Sequence, residues 1–216
     1  MTLNDINISN IDCIEALKYL EDESIDCIIT DPPYGIEYYS GYYKGINPHS
    51  PIINDDKFFF PIDELWRVLK PTGCIFCFFS HKVPLVDSRV RNVIIWVKNN
   101  WSAGDLEGDF GNQYECIAFM PKPDFVLKSK RFSNVWEFDR LPADRLKHPT
   151  QKPEPLIRRL IESATQEGDI VLDPFLGSGT TAVCCKQLKR KCVGMEIDEK
   201  HYRTCQERLQ QEILIT

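Results

Sequence analysis

The chain has 216 residues, of which 43% are hydrophobic, enough for one α/β domain with a sizeable core but too few for two full domains. Its net charge of −6 argues against strong sequence-blind binding of nucleic acid. No apolar run approaches the roughly 18 residues of a membrane-spanning helix, and the first residues lack the basic and apolar parts of a signal peptide. We therefore expect a cytoplasmic protein, with no membrane segment, that forms a single domain over residues 1–216.

Nine cysteines raise the question of a metal or redox site. Cys74 and Cys77 have the spacing of metal ligands, but they lie in an apolar run with no second ligand pair nearby. Free cysteine behaves as a small hydrophobic residue, and cytosolic thiols stay reduced. The sequence therefore predicts a core strand over residues 74–79 and no metal site.

In the first part of the chain, short apolar runs predict strands, and apolar residues at helical spacing predict two helices. Asp12 is placed to cap the first helix, and Pro71-Thr72-Gly73 is expected to end the second. Residues 36–60 contain four tyrosines and few periodic apolar positions, which predicts a long mobile loop. The predicted strands cover residues 4–10, 26–30, 74–79, 91–98 and 114–120, the helices cover 12–20 and 61–69, and 99–113 and 121–147 are irregular.

The last third of the chain has the pattern strand, glycine-rich turn, helix, strand, acid. This order is typical of half of a doubly wound nucleotide-binding sheet. A helix precedes the pattern and a further helix, capped by Asp198, follows it. The predicted helices cover residues 153–167, 180–188 and 198–212, the strands cover 169–173 and 191–196, and the glycine-rich turn covers 174–179.

An acid, two prolines and an aromatic ring follow the buried strand that ends at Thr30, namely Asp31-Pro32-Pro33-Tyr34. Proline cannot donate to a sheet ladder, so the strand must stop there, at the edge where open α/β sheets place ligands. A carboxylate, a fixed backbone carbonyl and a flat ring form a pocket for a planar group that bears an amine. Taken alone, four residues are weak support, and a proline-rich turn is the alternative.

The glycine-rich turn indicates which nucleotide the sheet would bind. Gly177 and Gly179 allow the backbone to approach a ligand closely, and Glu196, 23 residues after Asp173, is placed to accept a ribose diol. The turn lacks the lysine of a phosphate-binding loop and the third glycine of a dinucleotide fingerprint. A ligand without a polyphosphate, such as an adenosine that carries an amino acid, therefore fits best.

At these residues the sequence resembles the S-adenosylmethionine-dependent DNA amino-methyltransferases of the permuted group called β. The motifs that carry the resemblance occur in the order of that group and span nearly the whole chain. It implies a doubly wound, mostly parallel Rossmann-like sheet with helices on both faces and a circularly permuted motif order. The matching segments are Asp31–Tyr34, His148-Pro149-Thr150-Gln151-Lys152-Pro153, Asp173-Pro174-Phe175-Leu176-Gly177-Ser178-Gly179-Thr180-Thr181 and Gly194-Met195-Glu196-Ile197-Asp198.

The resemblance also implies roles for individual residues. Asp31 and the Pro32 carbonyl would accept hydrogen bonds from the target amine, Pro33 would stiffen the turn, and Tyr34 would stack on a base flipped out of the duplex. Glu196 would hold the ribose of S-adenosylmethionine and Asp12 its adenine amine. The complete set expected around this cofactor is Asp12, Cys13, Asp31, Lys152, Asp173, Phe175, Gly177, Ser178, Gly179, Thr180 and Glu196.

Double-stranded DNA is the partner that the resemblance implies, with a role in DNA methylation and restriction–modification. Tyrosines of the 36–60 loop can stack on bases, and the basic segment 121–147 is a candidate recognition region. On charge alone this segment faces either a polyanion or solvent. Because it is shorter than usual for the group, recognition is brief, relaxed or shared within a homodimer. The candidate DNA contacts are Tyr38, Tyr39, Tyr42, Lys44, Lys128, Lys130 and Arg131.

Asp at the first position of the catalytic tetrapeptide favours adenine N6 as the target over cytosine N4, as a tendency of the group. Cytosine-N4 methylation, methylation of RNA or protein, and a non-catalytic module that binds DNA or S-adenosylmethionine are the alternatives. The intact Asp31 and Tyr34 argue against the non-catalytic alternative. The recognition sequence cannot be read from these motifs.

Overall fold

One mostly parallel sheet of eight strands runs through the residues described by this computed structural model, namely 5–33, 60–83, 85–99, 110–141 and 151–211. The strands lie in the order β1-β8-β7-β2-β3-β5-β4-β6, and β5 is antiparallel to both of its neighbours. The strands are β1 Ile6–Asn10, β2 Ile25–Thr30, β3 Leu69–Phe79, β4 Asn92–Val97, β5 Tyr114–Pro121, β6 Val135–Glu137, β7 Ile170–Asp173 and β8 Lys191–Glu196. The helices are α1 Cys13–Leu17, α2 Ile62–Val68, α3 Glu154–Ala164, α4 Thr180–Gln187 and α5 Glu199–Gln211.

The helices cover both faces of the sheet, which confirms the predicted doubly wound architecture. On one face, α3, α4 and α5 bury Leu156, Ala182 and Cys205 in one apolar cluster. On the other face, α1 and α2 bury Leu17 and Leu65 in a second cluster. Strands buried on both faces read as continuous apolar runs, which is why the sequence predicted the central strands well.

The two cysteines with metal-like spacing are core residues, as the sequence predicted. Cys74 belongs to one apolar cluster and Cys77 to the other, because residues three apart on a strand point to opposite faces. They therefore cannot bind one ion together. No group of three or more possible metal ligands occurs in the described part of the chain. No helix among the described residues is long and apolar enough to span a membrane.

The start of β3 differs from the prediction. Pro71-Thr72-Gly73 was expected to end a helix, but α2 passes at once into a strand, and Leu69 pairs with Ile25 of β2. The proline falls where the register between the two strands shifts, so its missing donor costs no ladder hydrogen bond. A Cβ on Gly73 would lie 2.7 Å from the Asp26 carbonyl oxygen, which explains glycine at this position.

Strand β6 was not predicted, because residues 121–147 were read as irregular. A strand of three residues is too short to show a period of two. Its pairing comes from tertiary contacts: Trp136 is buried, and the Asn134 carbonyl accepts a hydrogen bond from Ile95 of β4 at 2.7 Å.

The chain reverses its direction of winding between β2 and β7. From β2 it continues through α2 to β3 on one side, and from β7 it continues through α4 to β8 on the other. Cys27 pairs with Val171 and Ile28 with Leu172, so these strands are direct parallel neighbours although a long stretch of sequence separates them. A crevice at the carboxyl ends of two such strands is where open α/β sheets bind ligands.

Candidate active site

Four acids lie at one edge of the sheet, each at or just past the carboxyl end of a parallel strand. Asp12 follows β1, Glu196 ends β8, Asp173 ends β7 and Asp31 follows β2, in the order in which these strands neighbour one another. The folded chain therefore brings the early Asp-Pro-Pro corner to the same edge as the late glycine-rich turn. Pro32 is buried and Pro33 half-buried, whereas Tyr34 lies outside the described residues.

The glycine-rich turn is built around Asp173. The Asp173 carboxylate accepts hydrogen bonds from Thr181 Oγ1 at 2.6 Å and from the half-buried Phe175 backbone N–H at 3.1 Å. Gly179 has φ of +82°, and a Cβ there would lie 2.2 Å from Cys205 Sγ of α5. The turn thus needs glycine both for its backbone conformation and for its contact with the last helix.

Asp173 is buried in a negative environment. Burial raises the pKa of its carboxyl to about 7, and the nearby charges of Asp31 and Glu196 act in the same direction. The hydrogen bonds from Thr181 and Phe175 oppose the shift but do not cancel it. A ligand that carries positive charge into this edge would favour the ionised carboxylate.

Glu196 is held in one orientation by two backbone groups. Its Oε2 accepts a hydrogen bond from Gly177 N–H at 2.7 Å, and its Oε1 accepts one from Asp198 N–H at 2.8 Å. Burial raises the pKa of Glu196, while these hydrogen bonds lower it. Because a carboxylate oxygen has more than one lone-pair site, both oxygens can still accept from a hydroxyl.

Asp12 and Cys13 lie beside Glu196 at the start of α1. Asp12 Oδ1 accepts a hydrogen bond from Ile14 N–H at 2.7 Å, which confirms the predicted helix cap. Cys13 is buried, which raises its pKa to about 12, so its thiol stays protonated. The two residues therefore offer a fixed carboxylate and a neutral surface.

Arg208 of α5 holds the glycine-rich turn in place, a role that was not predicted from the sequence. Its Nη1 donates hydrogen bonds to the Ser178 carbonyl at 2.7 Å and to Ser178 Oγ and Thr180 Oγ1 at 3.2 Å. Its Nη2 lies 3.0 Å from Glu154 Oε1 of α3. The Ser178 and Thr180 hydroxyls, predicted to face the cofactor, are thus engaged by the last helix.

Lys152, two residues before α3, joins Asp31 to a second carboxylate. Its Nζ lies 2.7 Å from Asp31 Oδ2 and 3.1 Å from Glu115 Oε2, and Lys98 Nζ lies 2.6 Å from Glu115 Oε1. Burial would lower the pKa of Lys152, but the two carboxylates outweigh this and raise it. Burial would raise the pKa of Glu115, but the two lysines lower it to about 2. Glu115 and Lys152 therefore both favour their charged forms.

Glu115 was not predicted from the sequence to lie at this site. It lies on the edge of an apolar strand, where one acid between tyrosine and cysteine reads as a solvent-facing position. Its partner Lys98 belongs to a Trp-x-Lys pair, which was the signal that could have been used. Glu115 pairs with Trp96 on the antiparallel neighbour and therefore lies diagonally across from Lys98.

The structure does not bring the candidate DNA contacts of the basic segment to this edge. Lys128 N–H donates to the carbonyl of Ser163, near the last residue of α3, at the opposite edge of the sheet. Lys130 and Arg131 follow it, before β6 begins, and both are exposed. The other candidates, Tyr38, Tyr39, Tyr42 and Lys44, lie outside the described residues, as do His148, Pro149 and Thr150.

The set of side chains at the edge limits the chemistry of a ligand. Four carboxyl groups would repel a polyphosphate, and Lys152 already pairs with two of the chain's own acids. A ligand rich in hydroxyl and amine donors that also carries positive charge would satisfy these acceptors. S-adenosylmethionine has a sulfonium, an ammonium, a ribose diol and an adenine amine, and it fits this set.

Comparison with known proteins finds a matching family, a curated relative and solved structures of similar fold. Type II methyltransferase M.HpaI of Haemophilus parainfluenzae is 33% identical over 230 residues, which cover 92% of this chain and 72% of that protein. The crystal structure of the M1.HpyAVI–SAM complex has a TM-score of 0.68 at 28% identity and covers 94% of this chain and 99% of the other. PvuII DNA methyltransferase, described as cytosine-N4-specific, has a TM-score of 0.73 at 16% identity, over 96% of this chain and 87% of the other, and shows the fold alone. Residues 25–207 match the N6_N4_Mtase family, and the chain therefore belongs to this family of DNA methylases.

Proposed function

We propose that this DNA methyltransferase transfers a methyl group to the exocyclic N6 amine of adenine in double-stranded DNA. The observation that carries the proposal is the position of Asp31, next to the glycine-rich turn at the point where the sheet reverses its winding. S-adenosylmethionine is the methyl donor, and when bound it supplies an electrophilic methyl group on a positively charged sulfur.

The residues at the edge divide between target and donor. Asp31 and the Pro32 carbonyl accept hydrogen bonds from the two N–H groups of the amine, which withdraws its lone pair from the ring and makes the nitrogen nucleophilic. Tyr34 stacks on the flipped base. Glu196 accepts the ribose hydroxyls and Asp12 the adenine amine of the donor, while Asp173 and Lys152 lie toward its charged end. Catalysis then comes from positioning and electrostatics, with no covalent enzyme intermediate.

The choice of adenine rests on Asp31. Within the family, Asp at the first position of the tetrapeptide goes with adenine more often than Ser does. The same pair of acceptors would also hold the N4 amine of cytosine, since both targets are amines attached to an aromatic ring. The modified base must therefore be identified chemically.

The test is transfer of a labelled methyl group to duplex DNA, followed by digestion to nucleosides. We expect N6-methyladenine from the wild-type chain, and a loss of rate on the order of a hundredfold or more in Asp31→Ala, because the amine loses its charged acceptor. Asp124→Ala is the matched control, because Asp124 is exposed and follows β5 at the opposite edge.

Each alternative has its own outcome in this experiment. Detection of N4-methylcytosine would show that the target base is cytosine and not adenine. Label in RNA or protein offered alongside DNA would change the substrate class. Wild-type transfer rates in Asp31→Ala would remove the proposed mechanism, and no transfer by the wild-type chain would favour a non-catalytic binding module.

A further inference from the structure

A row of alternating charges crosses the carboxyl end of β3. Lys98, Glu115, Lys152 and Asp31 follow one another with N–O distances of 2.6, 3.1 and 2.7 Å. The side chains of the two lysines are 15% and 11% exposed, and those of Glu115 and Asp31 are 26% and 22% exposed. Charges removed this far from water need partners, so each member constrains its neighbours.

Three distant parts of the chain hold the row in place. Lys98 comes directly after β4, and Glu115 of the antiparallel β5 pairs with Trp96, so the side chains of Lys98 and Glu115 meet diagonally across the two strands. Strand β3 separates β5 from β2, and Lys152 lies 4.8 Å above the ring of Phe78 on β3. Lys152 thus bridges over β3, from Glu115 on one side to Asp31 on the other.

Asp31 has two demands on its carboxylate. The proposed function requires it to accept a hydrogen bond from the target amine, and Lys152 competes for the same carboxylate. If the Lys152 ammonium lacked a second carboxylate, it would pair with Asp31 alone and bind it more tightly. Glu115 draws part of that charge away, because its Oε2 lies 3.1 Å from Lys152 Nζ while Asp31 Oδ2 lies 2.7 Å from the same nitrogen.

We propose that Glu115 is a positioning residue, which acts on the methyl-transfer reaction through Lys152 by limiting the hold of that lysine on Asp31. The inference rests on the proposed function. None of the site residues predicted from the sequence lies on β5. The inference gives this strand a role in positioning Asp31, the proposed acceptor of the amine.

The first variant to test is Glu115→Gln, which keeps the shape of the side chain and removes its charge. We expect kcat to fall on the order of ten- to hundredfold, because Lys152 then holds Asp31 in a less productive geometry. KM for DNA should change by less than about threefold, because phosphate contacts dominate DNA binding. Glu115→Asp, which keeps the charge, should recover part of kcat.

A matched control separates this role from a loss of stability. Lys70→Met breaks a Lys–Asp pair of 2.7 Å between Lys70 and Asp26, at the opposite edge of the sheet. Both Glu115→Gln and Lys70→Met should lower the thermal unfolding midpoint, but only Glu115→Gln should lower kcat. Equal kcat values in the two variants would overturn the inference.

The double variant with Lys152→Met tests whether the effect passes through the lysine. If it does, Glu115→Gln should change kcat by less than about twofold once Lys152 is absent, so the two effects do not multiply. If the effects of the two substitutions on kcat multiply, Glu115 has a purely structural role. If Lys152→Met has no measurable turnover, the comparison of Glu115→Asp with Glu115→Gln decides, and equal losses in both would overturn the inference.

Failure of this inference can be told apart from failure of the proposed function. A wild-type chain that transfers no methyl group to DNA would overturn both. A wild-type chain that methylates DNA, together with a Glu115→Gln variant of undiminished kcat, would overturn the positioning role alone.

Discussion

Asp173 shows how one buried carboxyl sets a pH dependence. Its pKa is raised from the ordinary 3.8 to about 7, first by burial and then by the neighbouring acids Asp31 and Glu196. Between these two values the folded chain retains a proton that the unfolded chain has lost. The contribution of this carboxyl to the free energy of unfolding is therefore present at low pH and is lost as the pH rises through this window.

We expect this loss to be visible in thermal unfolding without cofactor. In Asp173→Asn, whose amide is neutral at every pH, the unfolding midpoint should fall less between about pH 4 and about pH 7 than in the wild-type chain. Unfolding followed by circular dichroism across this range measures the difference. Parallel curves for the two proteins would show that Asp173 is not a titrating group of the folded chain.

At the scale of secondary-structure elements, α5 serves the site without lying in it. Arg208 ties this helix to the glycine-rich turn and to Glu154 at the start of α3. Its side chain is 11% exposed, so its loss would leave polar groups of the turn without their donor.

Replacing Arg208 tests this link. Arg208→Met should lower the free energy of unfolding by about 2 kcal/mol and raise KM for S-adenosylmethionine more than KM for DNA. Arg208→Lys should restore little, because an ammonium cannot reproduce the fork of the guanidinium. The control on the same helix is Arg203→Met, whose pair with Glu199 is exposed and should cost almost nothing. Equal shifts in both variants would show that Arg208 matters only to the helix.

The elements also show what the sequence could reveal. Strands β2, β7 and β8 are apolar runs with an acid at or just past the carboxyl end, and both the strand and its acid are readable because the signal is local. Glu115 and Arg208 are not readable in this way, since each gains its meaning from residues far away in the chain. Likewise β6 depends on pairing with β4 and leaves almost no periodicity in three residues.

At the scale of the whole molecule, motifs that lie far apart in the permuted sequence lie next to each other in the sheet. The sheet places β2 next to β7, so a segment from the first third of the chain and one from the last third meet at one crevice. The proposed acceptor of the amine and the proposed holder of the donor thus come from opposite ends of the sequence. Motif order could predict this meeting, but the distance between the basic segment and the crevice could not be predicted, because it depends on the direction of β6.

The basic segment leads to a prediction about how DNA lies on the protein. Lys128, Lys130 and Arg131 lie at the edge opposite Asp31, so they can contact phosphates only if the duplex extends along the side of the molecule that carries α3 and β6. A duplex of about 10 base pairs, roughly 34 Å long, centred on the target would not reach them, whereas one of about 30 base pairs could. Replacing all three residues by glutamine should therefore raise KM for the long duplex and leave KM for the short one unchanged.

The salt dependence of DNA affinity allows the size of this effect to be predicted. Each phosphate contact contributes about 0.9 to the slope of log affinity against log salt concentration, so the triple variant should lose up to about 2.7 on the long duplex. Lys189→Gln, an exposed lysine that lies before β8 at the same edge, is the control and should leave the slope unchanged. If the triple variant keeps the wild-type slope on both duplexes, these residues face solvent, and the phosphate contacts come from elsewhere on the chain.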